Sequence, residues 1–380
     1  MRFYLNEDFK SNVFVLEGWS SNKGMETMSV KRRIASLDLI RVVAIYMIFN
    51  YHFCRKMGAA EGFFFRGYAN GGWGAVGTAA FFMLSGYALS LNHREVRNIR
   101  EFYRRRFLSF YIPVWLTYAC AFFASAALKR LPSGLSAWKL IFSVLGIDGY
   151  LTLYQVETWY LTGEWFNFTI LVLYLLYPLL RRLFRDHFRA TTAALAVLYL
   201  AGTFFEPLKI QPDTYLSTGI FLFWIGMLIE DRIKFLAEHR IPVMLIAAGA
   251  GLLIMFVPLS FNELILKNLL GIAVFLFLRL VVPDHQEGKK HIQEELVSNG
   301  EDGQKTGGLF RLLTWLSAIS FEVYLTHHII INTIADWLLV NGSSTGIQVR
   351  IYILALLMTL AGSAVLYAIS KKLLKKLLPH

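Results

Sequence analysis

Arg41 and His52, eleven residues apart in SLDLIRVVAIYMIFNYHF, are the residues of this chain whose types and spacing point most directly to chemistry. In a helix, eleven steps of 100° bring two side chains back to within about 20° of each other, on one face and about 16.5 Å apart along the axis. Asp38 falls within about 60° of Arg41 on the same side, where it can steady the guanidinium. A stripe running from a guanidinium near one helix end to a deeper imidazole suits a long anionic molecule that enters end-on. Coenzyme A has that shape. Its phosphates call for Arg and Lys, and its thioester, attacked by a hydroxyl, calls for a neutral imidazole that can take the proton. The same residues admit a plainer reading, in which Arg41 extends to lipid headgroups and His52 hydrogen-bonds a neighbouring helix.

Four other segments carry polar groups that need a reason. NHREVRNIREFYRRRF gathers Arg94, Arg97, Arg100, Arg104, Arg105 and Arg106 beside Tyr103, either as a phosphate cradle or as positive charge retained on the cytoplasmic side. In GAVGTAAFFMLSGYALS the small residues Gly74, Gly77, Ser85 and Gly86 allow close helix approach, and Ser85 reads better as a helix contact than as a nucleophile, since no base accompanies it. TWYLTGEWFNF places Trp159 near Glu164, a carboxylate about one turn inside an apolar stretch that either positions His52 or an acceptor sugar or makes a structural hydrogen bond. SFEVYLTHHIII holds Glu322, His327 and His328. The two histidines are about 100° apart on a helix, so one is expected to face the interior and not both, and no metal site is expected because no carboxylate has ligand spacing to them.

These groups sit in a chain that is 56% apolar and 17% charged with a positive mean hydropathy, a balance that a water-facing surface cannot absorb. Spans of about 20 residues are needed to cross a bilayer. The sequence offers about ten: 38–56, 72–91, 107–127, 160–180, 191–205, 215–231, 241–258, 264–282, 313–339 and 349–369. The fold expected is therefore an all-α polytopic membrane bundle. The strip 138–146 is too short to span and is expected as an interfacial helix. Lys and Arg concentrate in 1–37, 92–106, 181–190, 232–240, 283–312 and 370–380, which places both termini in the cytoplasm.

The organisation that follows is a polar tail over 1–36, a transmembrane domain over 37–370 interrupted by the polar cytoplasmic loop 283–311, and a basic tail over 371–380. His285 and His291 belong to that loop and are not read as a metal pair. The net charge of +12 flanks apolar spans, so membrane orientation accounts for it and no nucleic-acid partner is expected. Cys54 and Cys120 lie in or beside spans and support neither a disulfide framework nor a thiolate metal site. Besides an enzyme, the intramembrane charges fit a secondary transporter of a sugar or organic anion, although the two halves lack matching broken helices. A non-catalytic membrane partner accounts for them less well. The sequence does not set an oligomeric state.

Read in order, five segments resemble the acyltransferase 3 family of bacterial membrane acyltransferases, which modify cell-surface carbohydrates: the Arg41 and His52 pair, FFMLSGY at 81–87, YRRRF followed by Pro113, WYLTGEW with Trp159 and Glu164, and SFEVYLTH ending at His327. The resemblance runs from about Ser36 to Ile369. It implies a ten-helix bundle in the bacterial inner membrane, acetyl-CoA as co-substrate, a carbohydrate or lipid-linked glycan as acceptor, His52 as base or acyl relay with Glu164 and His327 around it, and Arg41 with Arg104, Arg105 and Arg106 on the donor. The chain departs from the pattern at Ser109, where the family often carries a further Arg, and in the position of Pro113, displaced by one residue.

Overall fold

The computed structural model describes residues 33–58, 67–127, 136–159, 165–282, 303–338 and 345–378. Among these the chain is helical, with an isolated bridge between Tyr68 and Gly71 in place of any strand. The helices are α1 (Ala35–Met57), α2 (Trp73–Asn92), α3 (Ile99–Ala127), α4 (Leu140–Leu145), α5 (Asp148–Leu151), α6 (Trp165–Asp186), α7 (Phe188–Phe205), α8 (Leu216–Asp231), α9 (Ile233–Glu238), α10 (Arg240–Phe256), α11 (Glu263–Val281), α12 (Gly303–Ala318), α13 (Ser320–Leu338) and α14 (Thr345–Leu377).

Seven of them, α1, α2, α3, α6, α7, α11 and α14, are long and apolar enough to cross a membrane, and an eighth crossing results if α12 and α13 count together. That pair corrects the expectation of one uninterrupted span over 313–339, because it bends by 66° at Ile319. The break is satisfied locally: Ser320 Oγ donates to the carbonyl of Ser317 at 2.9 Å, in the place of a lost helical amide. α12 begins at Gly303, inside the stretch expected as loop, whereas His285 and His291 lie outside the described residues. The strip 138–146 forms a 3-10 turn, Ala137–Lys139, followed by the short helix α4, with Trp138, Ile141, Val144 and Leu145 exposed. Beneath it, Asp148 is fully buried and accepts from Tyr118, from Ser143 at 3.1 Å and from the Gly149 amide at 2.9 Å; burial nevertheless holds its carboxyl above the ordinary range.

α1 forms where the sequence offers an unbroken apolar helix with Asp38 in its first turn and Arg55 and Lys56 in its last, each complementing the helix dipole. Gly58, at a φ of 55°, closes it in the left-handed conformation that favours glycine. α2 is the central helix and packs against α1, α6, α8 and α11. Small residues permit this. A Cβ on Gly86 would meet the Phe223 carbonyl oxygen at 2.0 Å, and one on Gly226 would meet that of Met83 at 2.0 Å, so α2 and α8 cross backbone to backbone at a reciprocal pair of glycines. Gly86→Val and Gly226→Val are each expected to lower the thermal midpoint and the folded yield in detergent, since overpacking costs about 1–3 kcal/mol or more. Gly249→Ala, with open space around the added methyl, should change neither.

Candidate active site

One end of the bundle encloses two cavities of about 360 and 200 Å³. They adjoin, because Arg41, Ala88, Arg106, Tyr174, Ser320 and Phe321 line both. The larger lies at the helix ends, lined by Ile34 just before α1, Asn92 of α2 and Leu374 of α14, and the smaller runs deeper between Phe81, Leu84, Phe166, Ile170 and Tyr324. A polar antechamber thus leads to an apolar pocket.

α1 supplies the charged rim. Asp38, 4% exposed, pairs with Arg33 and with Arg41 Nη1 at 3.3 Å, and accepts from Ser317 Oγ at 2.6 Å. Arg41 Nη1 in turn donates to Ser317 Oγ at 2.8 Å, and Arg33 Nη2 to the carbonyl of Thr314 at 2.9 Å. The elbow between α12 and α13 is therefore tied to α1 through one carboxylate, and Arg41 is held over the cavity mouth. Asp38→Asn keeps the shape but removes that charge; it is expected to cost about 1–3 kcal/mol of stability, read from the denaturation midpoint in detergent.

The basic run divides. Arg106 alone of its three arginines lines both cavities; its guanidinium lies 5.9 Å from the ring centres of Phe102 and of Tyr174 and donates to His93 Nε2 at 2.9 Å. It has no carboxylate partner among the described residues, and its Nε and the hydroxyl of Ser109, also on the cavity wall, are buried without hydrogen bonds. Arg104 is instead directed to Glu101 at 3.4 Å and to the carbonyl of Leu377 at 2.8 Å, and Arg105 to Glu101. Tyr103 donates to the Leu175 carbonyl at 2.8 Å and lines neither cavity. Arg94 pairs with the buried Glu230 at 2.8 Å, which draws its pKa upward through that hydrogen bond. Arg97 and Arg100 are exposed.

On α2, Ser85 lines the inner cavity while Gly86 serves the α8 crossing. Trp159 donates to the Ser136 carbonyl at 3.4 Å, beside Phe122 and away from both cavities. Glu164 lies outside the described residues. Glu322, 5% exposed, faces the larger cavity without a salt bridge among the described residues.

The histidines depart from expectation. His52 reaches His327 with ring centres 5.2 Å apart and His328 at 4.0 Å, and the two α13 rings are 4.6 Å from each other. One nitrogen of each imidazole lies within 4.8 Å of the others. The angular rule that kept His327 and His328 apart applies to Cα–Cβ directions. An imidazole projects well beyond them, and a third ring seated over the seam between the two positions touches both. His327 is fully buried, and its Nδ1 sits 2.6 Å from the carbonyl of Tyr324. A carbonyl only accepts, so Nδ1 carries the proton and Nε2 the lone pair. Tyr324 joins the two regions: it walls the inner cavity, and its ring centre is 5.8 Å from that of His327. The cavities thus end at the ring that touches the histidine cluster.

His52, His327 and His328 line neither cavity; Tyr324 stands between the inner cavity and the cluster. A cationic antechamber can hold an anionic chain, and a neutral imidazole can take a proton. Sequence reasoning missed His93, Tyr174, Ser317, Ser320 and the role of His328. Ser317 and Ser320 had a signal in the SAIS spacing, whereas nothing in LVLYLLYP distinguishes Tyr174 from the lipid-facing residues beside it.

A family model described as an acyltransferase domain matches residues 34–368, from the first turn of α1 nearly to the end of α14. No curated protein and no solved structure matches the chain.

Proposed function

Because this chain belongs to the acyltransferase 3 family, we propose that it moves an acyl group, acetyl in the first instance, from acyl-coenzyme A to a hydroxyl of a cell-surface or lipid-linked carbohydrate. The observation that carries this reading is the single helix α1, which sets Arg41 on the cavity wall and His52 in the imidazole cluster about three turns deeper. The donor's phosphates rest on Arg41 and Arg106, and its pantetheine arm follows the apolar wall of Phe81, Leu84 and Ile170 past Tyr324. His52 takes the proton of the acceptor hydroxyl as its oxygen bonds to the thioester carbon. The carbon–sulfur bond then breaks, and the leaving thiolate receives the proton. Glu164 and His327 orient the reacting groups.

Topology fits this assignment. Seven helices, or eight with the bent pair, are long and apolar enough to cross; the shorter α8 and α10, of 16 and 17 residues, are proposed as two more, for ten crossings. An even number returns both termini to the cytoplasm, as the Lys and Arg distribution requires, and opens the cationic cavity toward cytoplasmic acyl-CoA in a bacterial inner membrane.

The test is transfer by the purified protein in detergent, given radiolabelled acetyl-CoA and a glycan fraction of the envelope. Label is expected on the glycan. Label that accumulates inside reconstituted vesicles and never becomes covalently attached overturns the enzymatic reading in favour of transport.

A further inference from the structure

The imidazole cluster has more ligands than proton removal needs. We propose that His52, His327 and His328 form a binding site for a divalent transition-metal ion, and that an ion held there suppresses acyl transfer. The inhibitory part rests on His52 acting as the base; the site itself does not.

Three imidazoles from two helices converge here, with one nitrogen of each within 4.8 Å of the other two. Tetrahedral zinc bonded to imidazole at about 2.0–2.1 Å needs ligand nitrogens about 3.4 Å apart. The nitrogens must close by about 1.4 Å at most to reach that geometry. The donor set suits the borderline metals: neutral imidazoles favour zinc, cobalt, nickel and copper over magnesium or calcium, and three histidines leave a fourth position for water. His327 already has the orienting contact that metal-bound histidines use, because its Nδ1 proton goes to the Tyr324 carbonyl, which makes Nε2 the nitrogen that would face an ion. His52 and His328 are half-buried and His327 is fully buried. Arg55, on α1 less than a turn beyond His52 and hydrogen-bonded to the Tyr51 hydroxyl at 3.4 Å, adds a repelling charge that weakens the site without blocking it. A nitrogen bonded to the ion has no lone pair for a proton, and so metal binding removes the base.

Chelator-stripped full-length protein in detergent is titrated with Co²⁺ and with Zn²⁺, read by the ligand-field absorption of tetrahedral cobalt and by metal analysis after gel filtration. About one equivalent should bind per chain, with the cobalt spectrum lost in His328→Ala. His328→Gln, which keeps more of the side-chain volume, serves where Ala disturbs packing. Zinc should inhibit the wild type, chelator should restore it, and the His328 variants should need about 10–100-fold more zinc for the same inhibition. Binding no stronger in wild type than in the His328 variants overturns the site and leaves the base assignment intact. Stoichiometric binding with undiminished transfer keeps the site and counts against His52 as the base instead.

Discussion

Replacing His52 by Ala is expected to lower kcat for acyl transfer by about 10²–10⁴-fold, the range that a positioned general base contributes, while the protein stays folded. The fold should tolerate the change because His52 is only half-buried, and α1 is held in this region by Phe49, Phe53, Cys54 and Met57 packed against Ile331, Ile334 and Tyr352. KM for the acyl donor should move little, since the proposed donor-phosphate site at Arg41 lies about three turns away. His52→Gln, which keeps a hydrogen-bonding side chain without a basic nitrogen, should be as inactive as the alanine variant. That pairing separates proton removal from packing. The measurement is a rate of label transfer at saturating acetyl-CoA, with gel filtration in detergent to confirm folding. A His52→Ala protein that is monodisperse and retains the wild-type rate would remove the base from the scheme.

His52 could be singled out from the sequence because it belongs to one continuous helix, where spacing converts directly into direction. The same conversion failed on α13. His327 and His328 are neighbours in sequence, and only the position of α1 against α13 decides that one ring meets both; helical periodicity carries no information about which seam a partner chooses. The basic run shows a related limit. Arg104, Arg105 and Arg106 are equivalent as charges, yet Glu101 and the end of α14 engage the first two, while the third turns inward between Phe102 and Tyr174. Asp38 was legible as a partner of Arg41, being one turn away, but its bond from Ser317 joins α1 to a distant part of the chain. The bend at Ile319 was hidden inside an apolar stretch long enough to read as one span. The long helices were legible because about 20 apolar residues in hydrocarbon must satisfy their own backbone, whereas the polar start of α12 at Gly303 was not; the choice of contacts between helices was legible only where glycines such as Gly86 marked them.

Arg41→Gln and Arg106→Gln are each expected to raise KM for acetyl-CoA by about 10–100-fold with kcat nearly preserved, because a hydrogen bond to a charged group is worth about 1.5–3 kcal/mol. The double variant should lose about the product of the two if the guanidiniums hold separate phosphates, and less than the product if they share one. Arg106 is the sharper case. It lines both cavities with its Nε unpaired and no carboxylate to neutralise it among the described residues, so an incoming phosphate gains an ion pair without displacing an existing one. Arg41 already has Asp38 and Ser317, which orient it and dilute its charge, and its substitution should have the smaller effect of the two. Arg104→Gln and Arg105→Gln should change KM by less than about threefold, since those side chains are engaged with Glu101 outside the cavities. A truncated donor, S-acetyl-pantetheine, lacks the phosphates altogether. It should be used poorly by the wild type and equally poorly by both variants, and a further loss with this donor would mean that the arginines support the fold of the pocket and not the phosphates of its ligand.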